Sequence, residues 1–213
     1  MGSGGMSHLI NQFVALFVVI DPIGLAPMFA ALTVGATEEY KRAMAIKGVV
    51  IAALILLLFA LLGDALLHLL GIGLPAFRVA GGILLLLLAI DMLFARHSGL
   101  RSTTLRETRE AEQRDDISVF PLAIPLIAGP GAFTTLLLAL RGVHERPLES
   151  LAALGVLAAV LAITLSALLM SARIMRFIGE TGANVVSRVL GVLLSALAVQ
   201  FIMDGLQKGL FRH

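Results

Sequence analysis

Six stretches of almost unbroken apolar sequence, 8–34, 43–70, 74–94, 119–140, 151–171 and 183–206, are separated by short polar turns and one long charged segment. About 20 consecutive apolar residues suffice to cross the hydrocarbon core of a bilayer, so each stretch is long enough to span. Runs such as 83–88, one isoleucine followed by five leucines, lack the alternation of an outer-membrane strand, and an open sheet leaves backbone groups unpaired in lipid. The expected fold is therefore an all-α membrane bundle of six transmembrane helices.

Two of the six stretches are interrupted. Asp21-Pro22-Ile23-Gly24 falls inside the first and Gly129-Pro130-Gly131 inside the fourth, and both are places where a helix should break. Pro22 and Pro130 lie 108 residues apart. Arg78-Val79-Ala80-Gly81 and Arg188-Val189-Leu190-Gly191 open the third and sixth stretches at a separation of 110. Two landmarks with nearly one period point to an internal duplication. Each unit holds three spans, an odd number, so the second copy must enter the membrane inverted, and broken helices 1 and 4 become equivalent. Interruptions at corresponding positions of two halves are the sequence mark of a transporter site at the bilayer midplane.

The chain divides into repeat one over 6–94, a charged linker over 95–118 and repeat two over 119–213. In the linker Arg96, Arg101, Arg106, Arg109 and Arg114 alternate with Glu107, Glu110, Glu112, Asp115 and Asp116, the pattern of a solvated segment. Residues 1–5, rich in glycine, read as a cloning remnant. The apolar stretch from Leu9 has no basic residues before it, so no cleavable leader is expected.

Composition agrees with the bilayer as solvent: 59% of residues are hydrophobic and 14% charged, with a mean hydropathy of +0.99. The absence of cysteine excludes a disulfide framework and a thiol nucleophile. The net charge of +2 comes from loop residues rather than a basic stripe, and nothing suggests nucleic-acid binding. Lys41, Arg42, Lys47, the five linker arginines, Arg173, Arg176 and Arg188 fall on one side; Arg78, Arg141, Arg146, Lys208 and Arg212 fall on the other. The basic excess places the first side in the cytoplasm and both termini outside it.

Asp21 before Pro22 has the order of a helix N-cap and first helical residue. It is also an ionisable group in mid-span, which by default marks a substrate or ion path. Gly129-Pro130-Gly131 opens a half-helix with no side-chain acceptor at its cap, so its amides and positive dipole end are offered to an anionic group. Brought together, the two breaks suit a small zwitterion: carboxylate on residues Gly129, Pro130 and Gly131, ammonium near Asp21, with Pro22, Ile23, Gly24, Thr134 and Thr135 around them. Asn11, Gln12, Pro125 and Gln200 are further candidates to line the cavity, although Asn11 and Gln12 can equally bond across helices. Asp91 and Asp204, near the ends of the third and sixth spans, join Asp21 as candidates for ion coupling, with interfacial solvation as the alternative. Asp64 and His68 share a helix face near the end of the second span. Gly81 and Gly191 are expected to permit close helix packing. No metalloprotease motif, serine elbow, phosphate loop or metal-ligand spacing is present, so the chain does not read as an enzyme.

Three segments, from Asn11-Gln12-Phe13 through Val18-Val19-Ile20-Asp21-Pro22-Ile23-Gly24, then 121–131, then Gln200-Phe201-Ile202-Met203-Asp204-Gly205, resemble the MarC family of six-helix inner-membrane proteins. The family is also described as small neutral amino acid transporters. The resemblance covers essentially the whole chain. It implies an inner-membrane carrier for glycine, alanine or serine; apart from the resemblance, no cofactor is expected beyond a coupling ion, H+ or Na+. Substrate, membrane lipid and an undetermined oligomeric state complete the expected partners. The competing reading is a channel-like or stress-related membrane protein that moves no amino acid.

Overall fold

The computed structural model describes residues 3–94, 116–140 and 147–210; the side chains of 3–5, 147, 148 and 180 are excepted. Most of the charged linker, together with Arg141, Arg146 and Arg212, lies outside the described residues. The described residues form helices throughout: α1 (Ser3–Ile20), α2 (Pro22–Leu32), α3 (Glu38–Leu69), α4 (Leu74–Phe94), α5 (Ser118–Ile127), α6 (Pro130–Leu140), α7 (Pro147–Leu169) and α8 (Ser171–Leu210). Five helical segments, Met6–Leu32, Glu38–Leu69, Leu74–Phe94, Glu149–Leu169 and Thr181–Leu210, are long and apolar enough to cross a membrane. A sixth is added if α5 and α6, bent by 57° at their junction, form one span.

Local chemistry explains where the helices start and stop. Pro22 occupies the first turn of α2, where its missing N–H costs nothing, and Asp21 before it adopts left-handed geometry (φ 50°, ψ 67°). Thr37 caps α3 by accepting from the Tyr40 N–H at 3.2 Å, with Glu38 and Glu39 against the positive dipole end. α3 ends before Gly71 (φ 67°), and a second glycine with the same φ, Gly179, breaks α8 after its first two turns. These two positions are 108 residues apart, the separation of Pro22 and Pro130. The apolar spacing alone did not place α8 as early as Ser171; the short stretch before Gly179 carries Arg173 and Arg176.

α4 and α8 make the most extensive helix pair, running antiparallel. Their backbones approach closely at glycines. A Cβ added at Gly82 would lie 2.8 Å from the Ala198 carbonyl oxygen and 3.0 Å from the Ile202 nitrogen. One added at Gly191 would lie 3.1 Å from the Ala89 oxygen and 3.2 Å from the Leu93 nitrogen. Residues 82 and 191, 89 and 198, and 93 and 202 are each separated by 109, so the same contact is made twice with the helices exchanged. Without water to drive burial, such close van der Waals approach is what holds helices together in lipid.

The remaining contacts follow a similar exchange. α3 packs on α5 and α7 on α1; α3 packs on α6 and α7 on α2; α2 packs on α8 and α6 on α4. Contacts of α1 with α6 and α8, and of α7 with α6 and α8, have no counterpart of like extent. The exterior is apolar, with Leu54, Leu58, Leu61 and Leu62 of α3 all more than half exposed, whereas Gln12, Asp21, Ser118, Thr134, Thr135 and Thr164 are buried.

Candidate functional site

The first interruption is one residue deep. Asp21 donates its N–H to the Phe17 carbonyl at 2.8 Å and its own carbonyl accepts from Leu25 at 3.0 Å, so the helical ladder resumes on both sides. Its carboxylate accepts the Gly24 N–H at 3.0 Å, the capping role read from the sequence. The group is 1% exposed. A side chain at Gly24 would collide with that carboxylate and come within 3.0 Å of Ser187 Oγ, which places this break against α8. Pro22 is buried beside Asp21, and Ile23 is half-buried.

The second interruption is longer. Phe120 and Ile124 leave helical geometry within α5, each preceding a proline joined by a cis peptide, Pro121 and Pro125. Gly129 has room for nothing larger: an added Cβ would lie 2.6 Å from the Pro125 carbonyl oxygen. α6 then begins at Pro130. A cavity of about 20 Å³ sits at this junction, lined by 125–127 and 129–132 with Val19, Leu84 and Leu88. That volume admits a water molecule and lies far below the roughly 300–1,000 Å³ of small-molecule sites.

The two breaks are neighbours through Val19 rather than Asp21. A Cβ at Gly131 would lie 3.0 Å from Val19 Cγ1 and 2.7 Å from Leu85 Cδ2. Asp21 does not line the cavity; its carboxylate is turned along α2. Pro125, Gly129, Pro130 and Gly131 do line it.

The other expected residues are sorted by helix rotation. Gln12 is buried and its Nε2 donates to the Ala139 carbonyl at 3.1 Å, and lies 3.1 Å from His8 Nδ1; Asn11 is exposed. Thr134 donates to the Pro130 carbonyl at 3.0 Å and packs against Gly81 of α4. Thr135 is 3% exposed, and its hydroxyl has no hydrogen-bond partner; the same holds for Gln12 Oε1. Gln200 is exposed and donates to Asp204 at 2.7 Å, while Arg78 approaches the other oxygen of that carboxylate at 3.5 Å. Asp204 thus ties α8 to α4. Asp91 is half-buried with one carboxylate oxygen unpartnered. His68 lies 3.8 Å from Asp64 on the exposed end of α3. The sequence did not single out the tie of Lys47 to Asp116, which joins α3 to the approach of α5. That hydrogen bond, followed by those from Ser118, holds the Asp116 carboxyl down at about 2. No group of three or more potential metal ligands occurs among the described residues.

An apolar exterior, buried polar side chains and two interrupted helices meeting at a small cavity define a multi-pass helical membrane protein. The chain belongs to the MarC family of integral membrane proteins, whose family model matches residues 6–210. It is 38% identical over 205 residues to the UPF0056 membrane protein YvbG of Bacillus subtilis, covering 96% of each chain. The UPF0056 membrane protein of Archaeoglobus fulgidus is 35% identical, over 98% of this chain and 96% of the relative. The Escherichia coli protein YhcE is 34% identical over 93% of this chain and 91% of its own. No solved structure matches the chain.

Proposed function

We propose that this protein is a secondary transporter of small neutral amino acids of the glycine, alanine and serine type. It is built from two inverted three-helix repeats and works by alternating access in the cytoplasmic membrane, with both termini on the outer face. The observation that carries this reading is the junction of the two breaks, Val19 against Gly131 beside a cavity at the start of α6. Non-helical backbone at membrane depth is tolerated where it is buried in protein or lines a cavity; Asp21 is buried, and 125–127 and 129–132 line the cavity. The exchange of contacts between α4 and α8 supports the repeat. Equivalent helices related by an axis along the membrane normal would run parallel; these run antiparallel, as an axis in the membrane plane requires.

In this scheme the substrate carboxylate rests on the amides of Gly129 and Gly131, where the helix dipole favours negative charge. Asp21 is the ionisable group for coupling to H+ or Na+. Counterflow of radiolabelled L-alanine in proteoliposomes tests the reading. A carrier loaded with unlabelled alanine accumulates label transiently and saturates; a pore, the competing possibility, shows neither. Absence of alanine counterflow together with absence of thermal stabilisation by glycine, alanine or serine would refute the proposed function.

A further inference from the structure

α1 and α6 are packed antiparallel along a seam whose register is fixed at two points. Gln12 Nε2 reaches the Ala139 carbonyl at one end, and Gly131 abuts Val19 at the other. Positions 131, 135 and 139 recur every four residues and so share one stripe of α6. Thr135 therefore lies midway along the seam, one turn from the cavity and one turn from the Gln12 contact. Its hydroxyl behaves unlike the other buried threonine hydroxyls. Thr33, Thr134 and Thr164 all donate to the carbonyl four residues back, at 2.8 to 3.0 Å. Thr135 does not, and Gln12 Oε1 on the facing helix is equally unpaired, although Gln12 is 8% and Thr135 3% exposed. A buried polar atom without a partner is costly, more so where no water can reach it, and two on one seam ask for a shared explanation.

Building on the transport function proposed above, we infer that Gln12 Oε1 and Thr135 Oγ1 form the subsite that receives the substrate's ammonium hydrogens. Both atoms can accept, and an ammonium group carries three donors and no acceptor. The rise from Gly131 to Thr135 is about 6 Å along α6. A zwitterion with one carbon between its charged groups, hydrogen-bonded at both ends, bridges that distance with its carboxylate at the Gly131 amides. The assignment leaves Asp21, which faces α2 and Ser187 and does not line the cavity, for coupling. It also gives α1 a way to sense the ligand. Leu16, 1% exposed, shares the stripe of α1 that carries Gln12 and Val19 and so falls near the height of Thr135, and admitting a substrate there requires α1 and α6 to part.

The test uses the full chain in proteoliposomes and in detergent, with L-alanine as probe and the variants Thr135→Val and Thr135→Ser. Valine matches threonine in shape and removes only the unpaired hydroxyl. The ligand-free melting temperature of Thr135→Val should equal or exceed that of the wild type. Its KM for alanine should rise about ten-fold or more, the loss of one hydrogen bond to a charged group. Thr135→Ser, which keeps the hydroxyl, should retain a KM near that of the wild type. A Thr135→Val protein with unchanged alanine KM, or one whose ligand-free melting temperature falls by several degrees, overturns the inference while leaving transport intact. Failure of the wild type itself to transport or bind alanine would instead overturn the proposed function, and the subsite with it.

Discussion

The crossing of α4 and α8 can be perturbed one methyl group at a time, and the two halves of the crossing should respond differently. Gly82→Ala places a Cβ 2.7 Å from Ile202 Cγ1, 2.8 Å from the Ala198 oxygen and 3.0 Å from the Ile202 nitrogen. Carbon atoms prefer about 3.5–4.0 Å, and two of these three neighbours are backbone, so α4 must withdraw rather than a side chain rotate. Overpacking of this kind costs about 1–3 kcal/mol, offset by up to about 1 kcal/mol from alanine's better helix propensity. Gly191→Ala meets its nearest atoms at 3.1 to 3.2 Å, a misfit of a few tenths of an ångström that the propensity gain roughly cancels. With about 2–4 °C per kcal/mol for a chain of this size, Gly82→Ala should lower Tm by several degrees and Gly191→Ala by no more than about 2 °C. The chain has no tryptophan, so helix loss followed by circular dichroism in detergent is the suitable readout. Equal losses for the two variants, or a larger one for Gly191→Ala, would refute both the packing argument and the idea that backbone contact sets this interface.

Asp21→Asn keeps an acceptor for the Gly24 N–H and a residue type that tolerates left-handed geometry, so Tm should hold while alanine transport or its coupling fails. Asp21→Ala loses the cap and strains the backbone, at about 2–3 kcal/mol together, and should show a clear drop in Tm; a stable alanine variant would show that the cap contributes nothing. Gly129→Ala sets a methyl 2.6 Å from the Pro125 oxygen and should both lower Tm and abolish alanine counterflow, since the break cannot keep its shape; retained transport would move the site elsewhere. The Asp116 carboxyl, held at about 2 against an ordinary 3.8, stabilises the fold above about pH 4 and loses that contribution as pH falls toward 2. Its side chain is 42% exposed, so solvent screening keeps the effect below about 1 kcal/mol. The Tm deficit of Asp116→Asn should therefore narrow between pH 4 and pH 2, and a gap constant with pH would contradict the assignment.

The apolar lengths, the interruptions at Pro22 and Pro130 and the capping by Asp21 were legible in the chain because they depend on local chemistry. The irregular winding of α5 was only partly so. Pro125 read only as a candidate to line the cavity, whereas Phe120 and Ile124 both turn extended and α6 leaves at 57°. The start of α8 was missed because Gly179, and not the onset of apolar sequence, ends its short first part.

Harder still was choosing between adjacent residues. Asn11 and Gln12, Gly81 and Gly82, and Thr134 and Thr135 are pairs in which the sequence offers two chemically similar neighbours. In each pair the fold uses the members differently: Gln12 turns inward and Asn11 outward, Gly82 meets α8 and Gly81 meets Thr134, Thr134 satisfies itself and Thr135 does not. Neighbours on a helix differ by about 100° of rotation, and in a soluble protein the apolar stripe would reveal which one faces the core. Here the outer surface is as apolar as the interior, so that stripe carries little information. Rotation is fixed instead by close approach at glycines, backbone to backbone at Gly82 and Gly191 for α4 on α8, and against the Val19 and Leu85 side chains at Gly131. Under the proposed transport function, the residues that read the substrate are then chosen by glycine contacts distant from them in sequence. A substitution that shifts the crossing of α4 and α8 should therefore alter alanine KM without touching a single site residue.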